Sequence, residues 1–326
     1  MERRYSGPLL TGKTATTMKY VHIHDMARKR AAYTGEPFRA ALQSLEGSSP
    51  RTIPIPYANS LDQEILETDF LLAMRRTLST SIFANDAPES SRSNLALISY
   101  VQPEAERLTV AVTREDLPGV LSAIIPNAQS ADDDNIIGIP GLRFEIHERH
   151  MSLYRPGSNS YICLRGARET IMRSQWRKAL RIAEELLQSP YYIHRESPDL
   201  VTKHEAEAIE FFRDDRIGSS RLCSGIMRRV HVFYPELRGD KKPRWIDVWD
   251  NGGMRHGVLL QLEWINGRTA PEVCRELLDE KFGMSFKVSR STSNWTTKDW
   301  IILEQRGKHT RMRGNVSLRY NRALND

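Results

Sequence analysis

Three short strand patterns followed by one long amphipathic helix, residues 141–187, constrain the fold more than any other stretch of the sequence. Residues 141–147 alternate apolar and polar side chains, and two further strand patterns follow at 152–155 and 160–165, with turn residues between them. Such alternation is typical of half-buried strands. Apolar residues in 168–187 then recur every three or four positions, as they do on the buried stripe of a helix. The stretch therefore predicts a sheet that is covered on one face by a helix.

Applied to the whole chain, the same patterns predict an α+β protein with more than one domain, in which small antiparallel sheets pack with amphipathic helices. We expect an N-terminal helical segment in residues 1–50 and a central α+β domain in residues 51–198. A basic C-terminal α+β domain is expected in residues 199–326. The first boundary lies within a stretch rich in proline and serine at 47–56, which is typical of a linker.

The composition excludes several classes of protein. No run of eighteen apolar residues exists, and the apolar part of the first ten residues is too short for a secretory leader, so we expect a cytoplasmic protein without a membrane partner. Cys163, Cys223 and Cys274 lie far apart, which fits buried thiols better than zinc ligands or disulfides. His147 and His150 are predicted to face opposite sides of a strand, which does not suit a metal. No cofactor is predicted.

The charge is distributed unevenly along the chain. The formal net charge is +6, yet residues 51–140 hold 13 acidic and 6 basic side chains. Residues 305–325 hold six basic side chains and no acidic one. A basic terminus of this kind indicates a polyanionic partner, and the acidic region is a candidate docking surface for a protein partner or a second copy of the chain.

A helix-turn-helix is predicted in the C-terminal half. One helix begins after the capping-box pattern at Thr202 and ends near Gly218, and a second begins at Ser219 or Ser220. The hairpin pattern 244–265 follows, which gives the order of a winged helix. Together with the basic terminus, the second helix supplies the predicted nucleic-acid contacts, which are Arg221, Arg228, Arg229, Arg306, Lys308, Arg311 and Arg313.

Two segments resemble known DNA-binding families. A strand pattern at 18–23 and two helix patterns separated by Thr34 and Gly35 resemble the ribbon-helix-helix repressors, which implies a dimeric DNA reader. The order helix, two strands, helix, two strands in the C-terminal half, with residues 277–288 as its second part, is similar to the LAGLIDADG homing endonucleases. Residues 227–234 lack the carboxylates that would hold metal in that family, so the resemblance implies DNA binding without cleavage.

These patterns favour a nucleic-acid-binding protein over an enzyme: a DNA-binding regulator, or an accessory factor of replication or of a mobile element, that binds through its basic C-terminal region. The aromatic residues Trp295, Trp300 and Tyr320 are candidates to stack on single strands. Two alternatives stay open. One is a metal-dependent nuclease that uses Asp299 and Glu304, and the other is a structural or partner-binding subunit that docks through residues 51–140.

Overall fold

A computed structural model describes residues 13–47, 53–74, 97–126, 136, 138–166, 169–187, 201–234, 245–250, 259–265, 267–294, 298–305 and 315–321. The helices are α1 (Lys13–Thr34), α2 (Phe38–Glu46), α3 (Leu61–Ala73), α4 (Leu117–Ile124), α5 (Glu169–Leu187), α6 (Lys203–Met227) and α7 (Ala270–Leu277). The strands are β1 (Ile98–Pro103), β2 (Arg107–Val112), β3 (Arg143–Ile146), β4 (Met151–Tyr154), β5 (Tyr161–Arg165), β6 (Trp245–Asp250), β7 (Leu259–Ile265), β8 (Phe286–Asn294), β9 (Lys298–Gln305) and β10 (Asn315–Asn321).

The chain builds the same unit twice. Each unit runs helix, hairpin, helix, three-stranded meander, first from α3 to β5 and then from α6 to β10. The two five-stranded sheets have equivalent strand orders, β1-β2-β5-β4-β3 and β6-β7-β10-β9-β8. In each sheet the last strand of the meander pairs in parallel with the second strand of the hairpin. The α+β class is thus confirmed, but the sheets are mixed rather than purely antiparallel.

The first helices of the two units, α3 and α6, pack against each other along much of their length. Buried side chains from both units belong to one continuous hydrophobic core, which includes Phe70 of α3, Ile226 of α6, Ile162 of the first sheet and Leu262 of the second. The two sheets are therefore held in one structure through the α3–α6 contact.

Several local predictions are confirmed. The three strand patterns of residues 141–165 form β3, β4 and β5, and the helix pattern after them forms α5. The hairpin predicted in residues 244–265 is the antiparallel pair β6–β7. The capping box that was predicted at Thr202 closes on Glu205 at the start of α6.

Glu205 also ties the start of α6 to the first sheet. Its carboxylate accepts hydrogen bonds from Arg143 Nη2 at 2.8 Å and from the Gly141 backbone N–H at 3.0 Å. Burial of Glu205 favours the neutral acid, but the hydrogen bonds from Arg143 and from the Thr202 N–H outweigh it and hold its pKa below the usual range.

Two predictions in the first and last thirds of the chain are wrong. The strand predicted at 18–23 lies inside α1, so the strand that a ribbon-helix-helix protein needs for its dimer is missing. The break predicted near Gly218 is absent because α6 runs without interruption through Met227. One continuous helix replaces the two short helices of a helix-turn-helix, and the winged-helix order is lost with them.

The helical segment at the N-terminus contacts both the linker and the second unit. Tyr33 donates a hydrogen bond to Glu276 Oε2 of α7 at 2.7 Å, and Lys29 lies 2.5 Å from Asp279. Arg30 is buried and binds Glu36 at 2.8 Å and the backbone oxygen of Pro54. None of the helices in the described residues is long and apolar enough to cross a membrane.

Candidate functional site

The first sheet has one face in the core and one polar face. Apolar residues of β2, β4 and β5, among them Leu108, Leu153 and Leu164, belong to the same core as residues of α3 and α4. Because side chains alternate along a strand, the residues between them point the other way. That opposite face forms a groove of about 530 Å³, lined in part by Arg107 and Arg165. We call this the sheet groove.

The pairing register arranges the sheet groove in rows that cross the strands. One row is Arg107, Tyr161 and Tyr154, which are direct partners on β2, β5 and β4. The next row, two residues along, consists of the small side chains Thr109, Cys163 and Ser152. Thr109 is 2% exposed and Cys163 6% exposed. The small row therefore forms the floor, and the row of rings and a cation forms one wall.

The opposite wall consists of Arg165 and two histidines from the turn between β3 and β4. The His147 N–H donates to the His150 backbone oxygen at 2.8 Å, and their rings stack with centroids 4.4 Å apart. The expectation that these two histidines face opposite sides is wrong because they lie in a turn rather than in a strand. His147 Nε2 also lies 3.0 Å from Ser152 Oγ, which joins this wall to the floor.

The groove lining holds two arginines, Arg107 and Arg165, and one carboxylate, Glu145. The two arginines differ in their partners. Arg107 is held by Glu104 at 2.8 Å, and the hydrogen bonds to Glu104 and Tyr161 raise its pKa despite partial burial. Arg165 is exposed and forms no ion pair with any residue in the described ranges. Burial, followed by electrostatic interactions with His147, Arg165 and Arg107, lowers the pKa of His150, so its ring is neutral near pH 7.

The histidine pair does not amount to a metal centre. Within the part of the chain that the structure describes, no group of three or more His, Cys, Asp or Glu side chains could hold a metal ion. Burial raises the pKa of Cys163 on the floor, so its thiol stays protonated and is a poor nucleophile or metal ligand.

The structure overturns two of the nucleic-acid contacts predicted from the sequence. Arg228 and Arg229 are both 0% exposed. Arg228 donates to Glu67 at 2.6 and 2.8 Å. Arg229 donates to the backbone oxygens of Phe282 and Ile55. Both guanidinium groups connect segments distant in sequence inside the fold, and they cannot reach a phosphate from there.

The remaining predicted contacts lie at the surface or outside the described residues. Arg221 is half-exposed, 3.6 Å from Glu64 and above the ring of Tyr57. The four basic residues of the C-terminal cluster lie outside the described residues; they are Arg306, Lys308, Arg311 and Arg313. The structure therefore leaves that cluster as a prediction from the sequence.

The strand register places the two residues of the metal-nuclease alternative far apart along one strand. Asp299 and Glu304 both lie in β9, where they pair with Tyr320 and Asn315 of β10 in an unbroken register. Five residues of regular strand place their Cα atoms about 17 Å apart. Metal–oxygen bonds are only about 2–2.6 Å long, so the register gives this alternative no support, and it stays a prediction from the sequence.

Three carboxylates of the acidic region on α3 are used inside the fold. On α3, Glu67 is buried against Arg228, and Asp69 accepts a hydrogen bond from Arg155. Burial raises the pKa of Glu64, although Arg221 opposes it. These three carboxylates neutralise arginines of other elements, whereas Asp62, Glu106 and Glu115 of the same region are exposed. A docking surface in this region stays a prediction. Residues 75–96 and 127–135 of the same region lie outside the described part of the chain.

The second sheet has a corresponding polar face. Trp300 is 38% exposed and donates a hydrogen bond to Ser317 Oγ. Its cross-strand partner Arg319 lies 3.5 Å from Glu263. Of the other two rings predicted for stacking, Tyr320 is buried and packs near Trp264 in the core, and Trp295 lies outside the described residues. The second sheet thus presents a ring and a guanidinium as the first does.

Sequence reasoning missed the sheet groove, although its residues carried a signal. The period-two alternation of β2 and β5 separates Leu108 and Leu164 from Arg107 and Arg165. The parallel pairing of β2 with β5, which brings the two arginine-bearing strands side by side, could not be predicted from the sequence.

Comparisons with protein families, curated proteins and solved structures find no match to this chain.

Proposed function

We propose that the protein binds nucleic acid through the sheet groove. The observation that carries the proposal is the polar face of the first sheet, where Arg107 and Arg165 stand on opposite sides of a groove that also holds Tyr154 and Tyr161. Guanidinium groups bind phosphate oxygens, and tyrosine rings stack on bases, so the two kinds of side chain match the two parts of a nucleotide.

The electrostatic part of the proposal rests on cations that remain available to a ligand. Arg165 supplies an exposed charge at the groove, and the C-terminal cluster 306–313 would add sequence-independent phosphate contacts. The exposed Trp300 and the Arg319 beside it offer a second surface of the same chemistry on the second sheet. A DNA ligand and a role as a regulator or accessory factor of replication or of a mobile element remain part of this proposal.

Reversing the charge of Arg165 tests the site. We expect Arg165→Glu to weaken binding of a fluorescein-labelled oligonucleotide by about tenfold or more in low salt, and to reduce the salt slope by about one unit, because one phosphate contact is lost. Fluorescence anisotropy at 50, 100 and 200 mM salt measures both quantities.

The matched control is Arg177→Glu. Arg177 is an exposed arginine of α5, whose Trp176 packs on Phe144 of the first sheet, so this variant changes the net charge equally on a helix outside the groove. It should bind within about twofold of the wild type. Equal losses in the two variants would assign binding to net charge alone. If the wild type binds no oligonucleotide, the proposal fails and a partner-binding subunit becomes the better explanation.

Binding should strengthen as the pH falls from 7 to 5. A bound phosphate favours the imidazolium form of His150, so the pKa of His150 is higher in the complex than in the free protein, where burial and neighbouring cations lower it. Affinity is then greatest at a pH below the pKa of His150 in the free protein. It falls as the pH rises through the higher pKa of His150 in the complex. Charged neighbours of His150 are His147, Arg107, Arg165 and Glu145.

The variant His150→Gln should lose most of this pH dependence while keeping its affinity at pH 8. Anisotropy titrations at fixed ionic strength between pH 5 and 8 measure the effect. A variant whose pH profile matched that of the wild type would show that His150 does not meet the ligand.

A further inference from the structure

We infer that the sheet groove receives an unpaired nucleotide, so that the ligand is single-stranded. This inference rests on the proposed function and specifies its ligand. The first observation is the size of the floor. On β5, Tyr161, Cys163 and Arg165 occupy alternate positions of one face, so the two walls stand about 13 Å apart along the strand. The strands β2 and β4, which flank β5 on its two sides, lie about 10 Å apart.

The second observation is how the rings are placed. Tyr154 and Tyr161 are direct cross-strand partners in the wall row and are both partly exposed. A ring on a sheet stacks on the flat face of a base, and that face is covered by neighbouring bases in a duplex. Stacking in this groove therefore requires a base that is free of its partner and of its neighbours.

The third observation is that polar side chains lie on the floor and at one end of the groove. Ser152, beside His147, presents a hydroxyl group from the floor, and Asn159 presents an exposed amide from the loop between β4 and β5. Hydroxyls and amides both donate and accept hydrogen bonds, as the edge of an unpaired base requires. With Arg165 at the far wall, the groove offers stacking, edge and phosphate contacts over the length of one nucleotide.

The first test compares three labelled probes of one sequence: a single-stranded DNA 12-mer, its RNA equivalent and the fully paired DNA duplex. The single strands should bind the wild-type protein at least about tenfold more tightly than the duplex at 100 mM salt. The RNA and DNA arms identify which strand is preferred. A duplex that bound as tightly as the single strands would overturn the inference.

The second test removes the ring contact. Tyr154→Leu should weaken single-strand binding by about tenfold or more, since loss of a stacked ring typically has an effect of that size. Tyr154→Phe should retain the affinity because it keeps the ring. A loss in both variants, or in neither, would contradict stacking on this residue.

The third test fills the floor without changing its charge. Because the Cys163 thiol is neutral and faces the groove, Cys163→Met adds volume at the centre of the floor and should weaken single-strand binding while leaving the salt slope unchanged. Cys274→Met, which adds the same volume at a buried cysteine of α7 outside the groove, serves as the control and should bind as the wild type does. Thermal melting of each variant checks the fold, and the Tyr154 pair decides the question if Cys163→Met melts early.

These tests separate the two proposals. If Arg165→Glu still differs from Arg177→Glu but the duplex binds as well as the single strands, nucleic-acid binding through the groove stands and the single-strand inference fails. If none of the three probes binds, the proposed function itself fails.

Discussion

We expect Glu67→Ala to lower the free energy of unfolding by about 3–5 kcal/mol, because the substitution leaves a buried guanidinium without its counter-charge. Glu67 and Arg228 both have fully buried side chains. The carboxylate accepts two hydrogen bonds from Arg228 and one each from Ser224 and Gln63. Arg228 also donates to the backbone oxygens of Pro56 and Glu104 at 2.8 Å, so it cannot turn toward solvent without breaking those contacts. Urea unfolding followed by circular dichroism measures the change.

An exposed ion pair supplies the comparison. Asp25 lies 2.6 Å from Arg28 with both side chains more than half exposed, so Asp25→Ala should cost less than about 1 kcal/mol. A cost of that size for Glu67→Ala as well would show that the buried pair is not formed in solution. The double variant Glu67→Ala with Arg228→Ala should cost less than the sum of the two single variants, because removal of both charges leaves none unpaired.

Because of the position of the Glu67–Arg228 pair, we expect Glu67→Ala to destabilise both repeated units and not one of them alone. Glu67 is on α3 and Arg228 directly follows α6, so the pair joins the first helices of the two repeated units. Since the units also share one core, we expect a single unfolding transition in both wild type and variant, shifted to lower urea in the variant.

The sequence predicted those elements whose signal is local. The strands β3, β4 and β5 and the helix α5 follow from periodicity, and the β6–β7 hairpin follows from its glycine turn. The burial of Arg228 and Arg229 could not be predicted in this way, because the residues that they bind lie far away in the sequence. Glu67 is 161 positions from Arg228. An arginine in a sequence is expected at the surface unless its counter-charge is known.

The wrong break in α6 has a packing explanation. Gly218, Ser219 and Ser220 have the composition of a turn, but Ser219 and Ser220 are buried inside the helix, and the Ser220 backbone oxygen accepts a hydrogen bond from Thr68 of α3. Small side chains allow the two helices to lie close together. Gly225 makes room for a different neighbour, since a Cβ there would lie 2.4 Å from Cε of Met284, which lies between α7 and β8. Tertiary contact thus overrides a local helix-breaking signal.

The second large effect concerns the C-terminal cluster. Replacing Arg306, Lys308, Arg311 and Arg313 together by glutamine should reduce the salt slope of oligonucleotide binding by about three units, at about 0.7–0.9 per phosphate contact. The affinity at 50 mM salt should fall by two orders of magnitude or more. This estimate takes about one order of magnitude for every one or two phosphate contacts that are lost. Anisotropy titrations from 50 to 200 mM salt give both values. Deleting residues 306–326 would not serve, because β10 (Asn315–Asn321) is the central strand of the second sheet and its loss would unfold that sheet.

A control with equal charge is available on α5. The four exposed basic residues of that helix are Arg173, Arg177, Lys178 and Arg181. Changing them to glutamine lowers the net charge by the same four units on a helix outside the sheet groove. If the cluster 306–313 touches phosphate, only its own replacement changes the slope, since counterions are released only where a cation meets the backbone of the nucleic acid. Equal slopes in the two fourfold variants would instead show that the C-terminal cluster acts through net charge at a distance, and the phosphate contacts would then have to come from the sheets alone.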